Sequence, residues 1–496
     1  MEKTPTPKDL PVDHSQCGLL GARRFLPFFL TQFSGAFNDN LYKNSLLLLV
    51  AFSSASIFGL SGDILMNLAA ALFILPFFLF SALAGQVADK FEKSRIIRTV
   101  KFAEILIMSA GAWALWHGWY ELLLVLLFVM GAQSAFFGPV KYAILPQTLR
   151  DDELVGGNAL VEMGTFVAIL LGTLLAGLLM EFEAKAQIAA VGVLVMAVLG
   201  WLASLRVPTA PAADPGLRLR FNPWRETWKV VGMARDNHAV FLSVLAISWF
   251  WFLGAAYLTQ FPNFAKNTLN GSESLVTLLL ATFTIGIGLG SMLCERLSGH
   301  RVELGIVPIG SLGLSLFGFD LYTQVPEVVA GEARSWWVFL SEPGGVRILL
   351  DLLGIGLFGG FFIVPLYAFV QHETPPDRRA RVIAALNILN ALFMVISALL
   401  GAVLLGMAGL SIPEFLLVLS VINLIVAAYV YQQVPLFALR FIIWVLSHTV
   451  YRVRHEGLQH IPAEGPAVLV CNHVSYMDAL VIAGAVRRPI RFVMDS

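Results

Sequence analysis

The sequence predicts an all-α integral membrane protein, with twelve transmembrane helices in two six-helix halves and a short, truncated α/β stub at the C-terminus. Three observations predict it. Hydrophobic residues make up 57% of the 496 and charged residues only 13%, about half the charged share of a soluble protein. The apolar residues fall in blocks long enough to cross about 30 Å of hydrocarbon as helices. The connections between blocks alternate sharply in lysine and arginine content. Net charge is zero, so nothing global calls for nucleic acid. Cys17, Cys294 and Cys471 show no metal or redox spacing and read as free thiols.

Each element follows in order. Residues 1–24 are a polar tail whose Pro5, Pro7 and Pro11 make no signal peptide. The first half, 25–206, begins with span 25–53, the least apolar, which reads "FSGAFNDNLYKNSLLLL". Span 63–88 runs into the loop "GQVADKFEKSR" at 85–95. Spans 96–117 and 121–144 follow, the latter ending in "FFGPVKYAILPQ". Span 154–180 opens with "GGNALVEMG", and 186–206 closes the half. A polar linker, 207–237, carries Pro208, Pro211, Pro215, Pro223 and a run of arginines. The second half, 238–434, holds spans 238–264, 274–294, 304–322, 346–371, 382–409 and 412–434. Residues 435–454, apolar but broken by Arg440, read as an interfacial helix rather than a thirteenth span. Residues 455–496 begin the stub.

One set of connections holds Lys90, Lys93, Arg95, Arg98, Arg150, Arg218, Arg220, Arg225, Arg378, Arg379 and Arg381. The other offers Lys185, Lys266, Arg334 and Arg347. The positive-inside rule then places both termini in the cytoplasm. A loop pattern repeats across the halves. Gly85, Asp89 and Lys90, with Arg95 closing the motif, match Ser291, Glu295 and Arg296 in "SMLCERLSGHR". Repeated six-helix halves with loop motifs at matching places resemble the major facilitator superfamily, whose site lies between the halves near mid-membrane.

A charge inside a bilayer costs about 2.5–3.5 kcal/mol on insertion scales, so each needs a reason. Asp39 lies halfway along the first span, with Lys43 one turn further on the same face and Asn38, Asn40 and Asn44 around them. Two readings stay open: a structural Asp39–Lys43 pair, or a headgroup or coupling-cation site. Lys141 ends the fourth span and Glu162 lies two turns into the fifth, as a gate or a local lock. Glu104 is a weaker candidate that would reach the basic loops. The second half offers Gln260, Thr282, Thr284, Asn387, Asn390 and many aromatics, with almost no central charge. Glycines 286, 288 and 290 have no flanking strand and read as helix packing rather than a nucleotide loop. A charged half facing an aromatic half suits an amphiphile with one charged head and one apolar chain.

The strings "AFNDN", "GQVAD", "FFGPVKYAILPQ", "NALVEMGTFVAILLG" and "GGFFIVPLYAFVQ" resemble the bacterial lysophospholipid transporter family over residues 25–434. The resemblance implies inward movement of lysophospholipids, chiefly lysophosphatidylethanolamine, across the inner membrane for reacylation, with sodium as coupling ion and no other cofactor or metal. It carries Asp39, Lys141 and Glu162 over as transport residues. "AYLTQF" in the seventh span lacks the basic residue the family places there, and Lys43 would supply that charge. A monomer is the expected state of this fold.

Near the end, "AVLVCNHVSYMDALVI" at 467–482 resembles the H-x4-D motif of glycerophospholipid acyltransferases. In that reading His473 is the general base and Asp478 holds its imidazole in the right tautomer. The family's later E-G-T-R block is absent from these residues, so the stub is expected to be inactive and the chain itself a transporter rather than an enzyme. A longer parent would take its acyl group from acyl carrier protein or another donor. The alternative is a cation-coupled exporter of drugs or small metabolites, which leaves the acyltransferase motif without a role.

Overall fold

The computed structural model describes residues 16–51, 62–298, 302–325, 333–342 and 344–433, together with scattered positions between 443 and 490. The first bundle comprises α1 (Leu26–Ala51), α2 (Gly62–Lys90), α3 (Lys93–His117), α4 (Tyr120–Ala143), α5 (Leu154–Leu179) and α6 (Lys185–Ser204). A linker helix, Pro223–Arg235, follows. The second bundle comprises α7 (His238–Asn263), α8 (Glu273–Ser298), α9 (Val307–Gln324), α10 (Gly345–Glu373), α11 (Arg379–Gly401) and α12 (Ile412–Gln433). Among the described residues, eleven helices are long and apolar enough to cross a membrane. The twelfth, α1, has 26 residues but too polar a middle to stand against lipid, and it packs against α5 and α6 instead.

Helix ends follow local chemistry. Glu92 caps α3 by accepting from the Ser94 and Arg95 amides, and Gly118 ends it in the left-handed region at φ 69°. Asn222 and Asn237 cap the linker helix and α7 in the same way. Packing inverts the soluble pattern. On α6, Ala189, Ala190, Val193 and Ala197 face inward, while Val191, Val195, Leu199 and Leu202 stay exposed for lipid. Methyl groups added at Gly286, Gly290 or Gly360 would run into the backbone of the facing helix, so the glycine run lets α8 and α10 touch.

The halves meet along two seams, α5 with α8 and α2 with α11. The end that carries the linker is called the linker end here. Among the described residues of the stub, the helix Asp478–Ala485 is the regular element, and no paired strand occurs. The strand expected at 467–470 is not formed among the described residues. The expected interfacial helix, 435–454, falls outside the described residues apart from isolated positions.

Candidate functional site

The polar residues of α1 go to different neighbours. Asn38 points at α3, where its Nδ2 donates to Glu104 Oε1 at 2.9 Å. Asp39 points at α4, where Ser134 Oγ donates to its Oδ2 at 2.7 Å. Glu104 is also held by the Lys101 ammonium at 2.6 Å and by Gln133 Nε2 at 3.1 Å. The Lys101 and Glu104 side chains are each only 1% exposed, and Lys101 also lies over the Phe137 ring at 5.2 Å. Gly35 leaves room for that ammonium, since a Cβ there would occupy the space of Lys101 Nζ. Asn38 Oδ1 and Asp39 Oδ1 are buried and have no hydrogen-bond partner among the described residues. Two buried oxygens of α1 are therefore left unmatched, while the Glu104 carboxylate already has its cation.

The Asp39–Lys43 pair is not formed. Lys43 Nζ takes Asn40 Oδ1 at 3.3 Å and lies 5.6 Å from the Phe73 ring centroid, and no ion pair of Lys43 occurs among the described residues. Asn44 reaches Thr173 Oγ1 at 2.9 Å, fixing α1 to α5. Asn40 also donates to the Ala36 carbonyl at 2.8 Å.

A second polar layer lies two turns nearer the linker end, about 10 Å along both α1 and α4. Lys141 Nζ donates to Thr165 Oγ1 at 2.8 Å, and that hydroxyl lies 3.1 Å from Gln32 Oε1. Glu162 Oε1 accepts from the Tyr142 hydroxyl at 2.6 Å. Lys141 and Glu162 form no ion pair, so the two serve separate contacts. Tyr142 stacks on Tyr367 of α10, with centroids 4.3 Å apart and planes within 11°. Trp251 of α7 donates to the Tyr367 hydroxyl at 3.2 Å and stacks on Phe166 of α5 at 5.8 Å. Glu162 thus ends a chain of rings that joins the two halves.

The second half builds its interior from neutral groups. Trp249 Nε1 donates to Asn423 Oδ1 at 2.9 Å, and Asn423 Nδ2 donates to Ser311 O and Ser315 Oγ, each at 2.9 Å. Ser248 bonds Asn390 at 2.9 Å. Sequence reasoning passed over one acid here. Asp351 is buried near the far end of α10, behind the Arg347–Asp320 pair at 2.9 Å.

The loop motif divides in two. A Cβ on Gly85 would meet Ala384 Cβ at 2.7 Å and the Ala380 carbonyl at 2.9 Å, so only glycine lets α2 approach α11 this closely. Asp89 then caps α11, accepting from Ala380 N at 3.1 Å, Arg381 N at 3.3 Å and Arg381 Nε at 2.9 Å. Lys90 lies over the ring of its neighbour Phe91, at 5.6 Å. Arg95 is 84% exposed beside Glu92. Among the described residues neither forms an ion pair between the halves. On the other seam Glu295 comes against Gly156 at the start of α5, the counterpart of Asp89 against α11. Asn158 and Gln371 bond each other in both directions, at 2.9 and 2.8 Å, across the same end.

In the stub, Asp478 Oδ2 accepts from Val474 N at 2.6 Å and Ser475 N at 2.8 Å, fixing the turn before its helix. His473 lies outside the described residues, so its expected contact with Asp478 does too.

Sequence alone missed Lys101, Gln133, Ser134, Tyr142, Tyr367 and Asp351, and it read Glu104 as reaching for the loops. The spacing of Lys101 and Glu104, three apart on one helix, was the available signal.

Two six-helix bundles meeting along α5–α8 and α2–α11, with buried charge near mid-depth, define a secondary transporter. The Major Facilitator Superfamily profile matches residues 28–397, and the chain belongs to that superfamily as a multi-pass membrane protein. Its relatives narrow this further. The lysophospholipid transporter LplT of Enterobacter sp. (strain 638) is 30% identical over 306 residues, covering 61% of this chain and 70% of the relative. That of Cronobacter sakazakii (strain ATCC BAA-894) is 28% identical over 370 residues, covering 73% and 84%. Among solved structures, the human organic anion transporter MFSD10 (TETRAN) superposes with a TM-score of 0.61 at 15% identity, covering 82% of this chain and 99% of that one. A single-site variant of the E. coli fucose:proton symporter FucP gives 0.59 at 14%, covering 83% and 99%. At these identities the two structures show the fold alone. The Acyltransferase profile matches residues 452–496.

Proposed function

We propose that this chain moves lysophospholipids, chiefly lysophosphatidylethanolamine, inward across a bacterial inner membrane, with the linker end and both termini in the cytoplasm. The observation that carries the reading is the contrast at mid-depth. Among the described residues Asp39 Oδ1 and Asn38 Oδ1 lack partners, and the Lys43 ammonium one turn away forms no ion pair. Such a place suits a coupling cation at Asp39 and a headgroup phosphate at Lys43, because each buried group gains the partner it lacks. The neutral, ring-lined second half gives an acyl chain an apolar wall. The relatives' name supports the substrate class, and the acyltransferase match supports reacylation as the fate of the imported lipid.

Sodium fits the coupling role by donor chemistry, since a carboxylate, an amide oxygen and a hydroxyl are hard oxygen ligands. In the resting arrangement the rings of Tyr142, Tyr367, Phe166 and Trp251 and the Asp89–Arg381 latch close the linker end, so the path is set to load from the far side. Lys141 and Glu162 lie at the closed layer and change partners when the halves rock. In this reading His473 and Asp478 belong to an acyl-transfer site, and the chain acts as a monomer.

The experiment is uptake of labelled lysophosphatidylethanolamine into proteoliposomes, with cationic drugs offered in parallel. Saturable lipid uptake that drugs do not compete for supports the reading. Drug transport without lipid uptake would return the chain to the exporter alternative.

A further inference from the structure

The linker does more than tie the halves together. Residues 218–235 carry Arg218, Arg220, Arg225, Lys229 and Arg235. The linker helix within that stretch buries Glu226, Val230, Val231 and Ala234 against the bundle, where it touches α2, α7 and α11. Its other side is unusual for a protein surface: Phe221 is 75% exposed, Trp224 73% and Trp228 71%. The two tryptophans are four residues apart and so stand one above the other, with Arg225 and Lys229 beside them. The one acid of the helix, Glu226, is buried, its Oε2 4.0 Å from the Lys229 ammonium, while Lys229 itself stays 46% exposed, so the exposed face is aromatic and cationic.

The rest of the molecule says what such a face meets. At the far end the exposed tryptophans are Trp113, Trp116 and Trp119 at the close of α3, with Trp336 and Trp337 before α10. They form the aromatic belt expected where helices leave the hydrocarbon. At the linker end the strongly exposed tryptophans among the described residues are Trp224 and Trp228. We propose that the exposed face of the linker helix docks on the headgroup layer of anionic phospholipids, its rings seated among the headgroups and Arg225 and Lys229 on their phosphates. Charge complementarity and the matching belt carry the assignment.

The docked helix is wired to the latch. Arg220 N donates to Gln86 Oε1 at 2.9 Å, and the Ala213 and Asp214 amides donate to the Asp89 carbonyl at 2.9 and 2.8 Å. Arg381 also lies 3.5 Å from Asp214 Oδ2. A headgroup layer that holds the linker therefore holds the strand of contacts that closes the α2–α11 seam.

The test uses the full chain in vesicles of phosphatidylcholine mixed with phosphatidylglycerol, with either one lipid or the other brominated on its acyl chains at matched bromine content. The tryptophan signal of Trp224→Phe/Trp228→Phe is subtracted from that of the wild type, which isolates the two rings. The proposal expects quenching of that difference signal by brominated phosphatidylglycerol. It expects Arg225→Gln/Lys229→Gln, with both rings in place, to lower the apparent affinity for the anionic lipid by about fivefold per cation removed. No quenching of the difference signal would overturn the proposal, and so would quenching that ignores lipid charge and both cations. Should the double Phe variant fail to fold, the Gln variant alone still decides, through its affinity for phosphatidylglycerol and the salt dependence of that affinity.

Discussion

Lys101 and Glu104 form the most deeply enclosed ion pair of the first half, and they set the character of the site beside them. Removing one partner strands the other charge in a dry interior. Glu104→Gln is expected to destabilise the fold by about 3–5 kcal/mol, whereas Glu104→Gln with Lys101→Met is expected to recover most of that loss. Thermal unfolding in detergent reads both, and equal losses in the single and double variants would contradict the pairing. Glu92 behaves differently. Partial burial pushes its carboxyl up, but the amides of Ala210, Ser94 and Arg95 outweigh that and hold it below the ordinary range. A depressed carboxyl contributes stability above its unfolded pKa of about 4.3 and loses it as pH falls through the lower folded value. The melting difference between wild type and Glu92→Gln should therefore be full near pH 7 and shrink as pH falls below the ordinary carboxylate value of about 4.3. Asp39 was legible because five polar groups crowd seven positions of one span. Ser134 was not, since a serine in an apolar helix most often bonds its own backbone.

At the scale of the element, the seam between α2 and α11 depends on a contact across 292 positions of sequence. No local pattern announces it. The motif around Gly85 marked the place, yet Arg381 stood among the basic loop residues as one charge of many. The Tyr142–Tyr367 stack was hidden for a similar reason: aromatics are common in membrane helices, and only the meeting of two faces selects a pair. The pseudo-repeat was more informative, because Glu295 approaches α5 as Asp89 caps α11. Cys294, buried next to Glu295, reports on this end. Asp89→Asn weakens the latch, and alkylation of Cys294, followed by peptide mass spectrometry, should quicken by about tenfold or more, the factor that 1.4 kcal/mol gives. An unchanged rate would mean that the seam is held elsewhere.

At the scale of the whole molecule, hydropathy and charge alternation were enough for the two-bundle architecture, because the bilayer leaves few ways to satisfy a backbone. They were not enough for the stub, whose contacts involve groups that a membrane pattern does not constrain. Sidedness is a prediction of the same kind. Cys17 is exposed at the linker end, so a membrane-impermeant maleimide should label it in inverted vesicles and spare it in intact cells. Labelling from outside would reverse the proposed direction of every step.

The central claim is that Asp39 binds the coupling cation for lipid import, and sodium-driven uptake of lysophosphatidylethanolamine by wild type and Asp39→Asn tests it most directly. The account predicts that an inward sodium gradient accelerates the wild type. In Asp39→Asn, folded and still binding lysolipid, that acceleration should fall by about tenfold or more, the effect of about 1.4 kcal/mol of lost cation binding. Uptake by Asp39→Asn that keeps the full sodium response would contradict it.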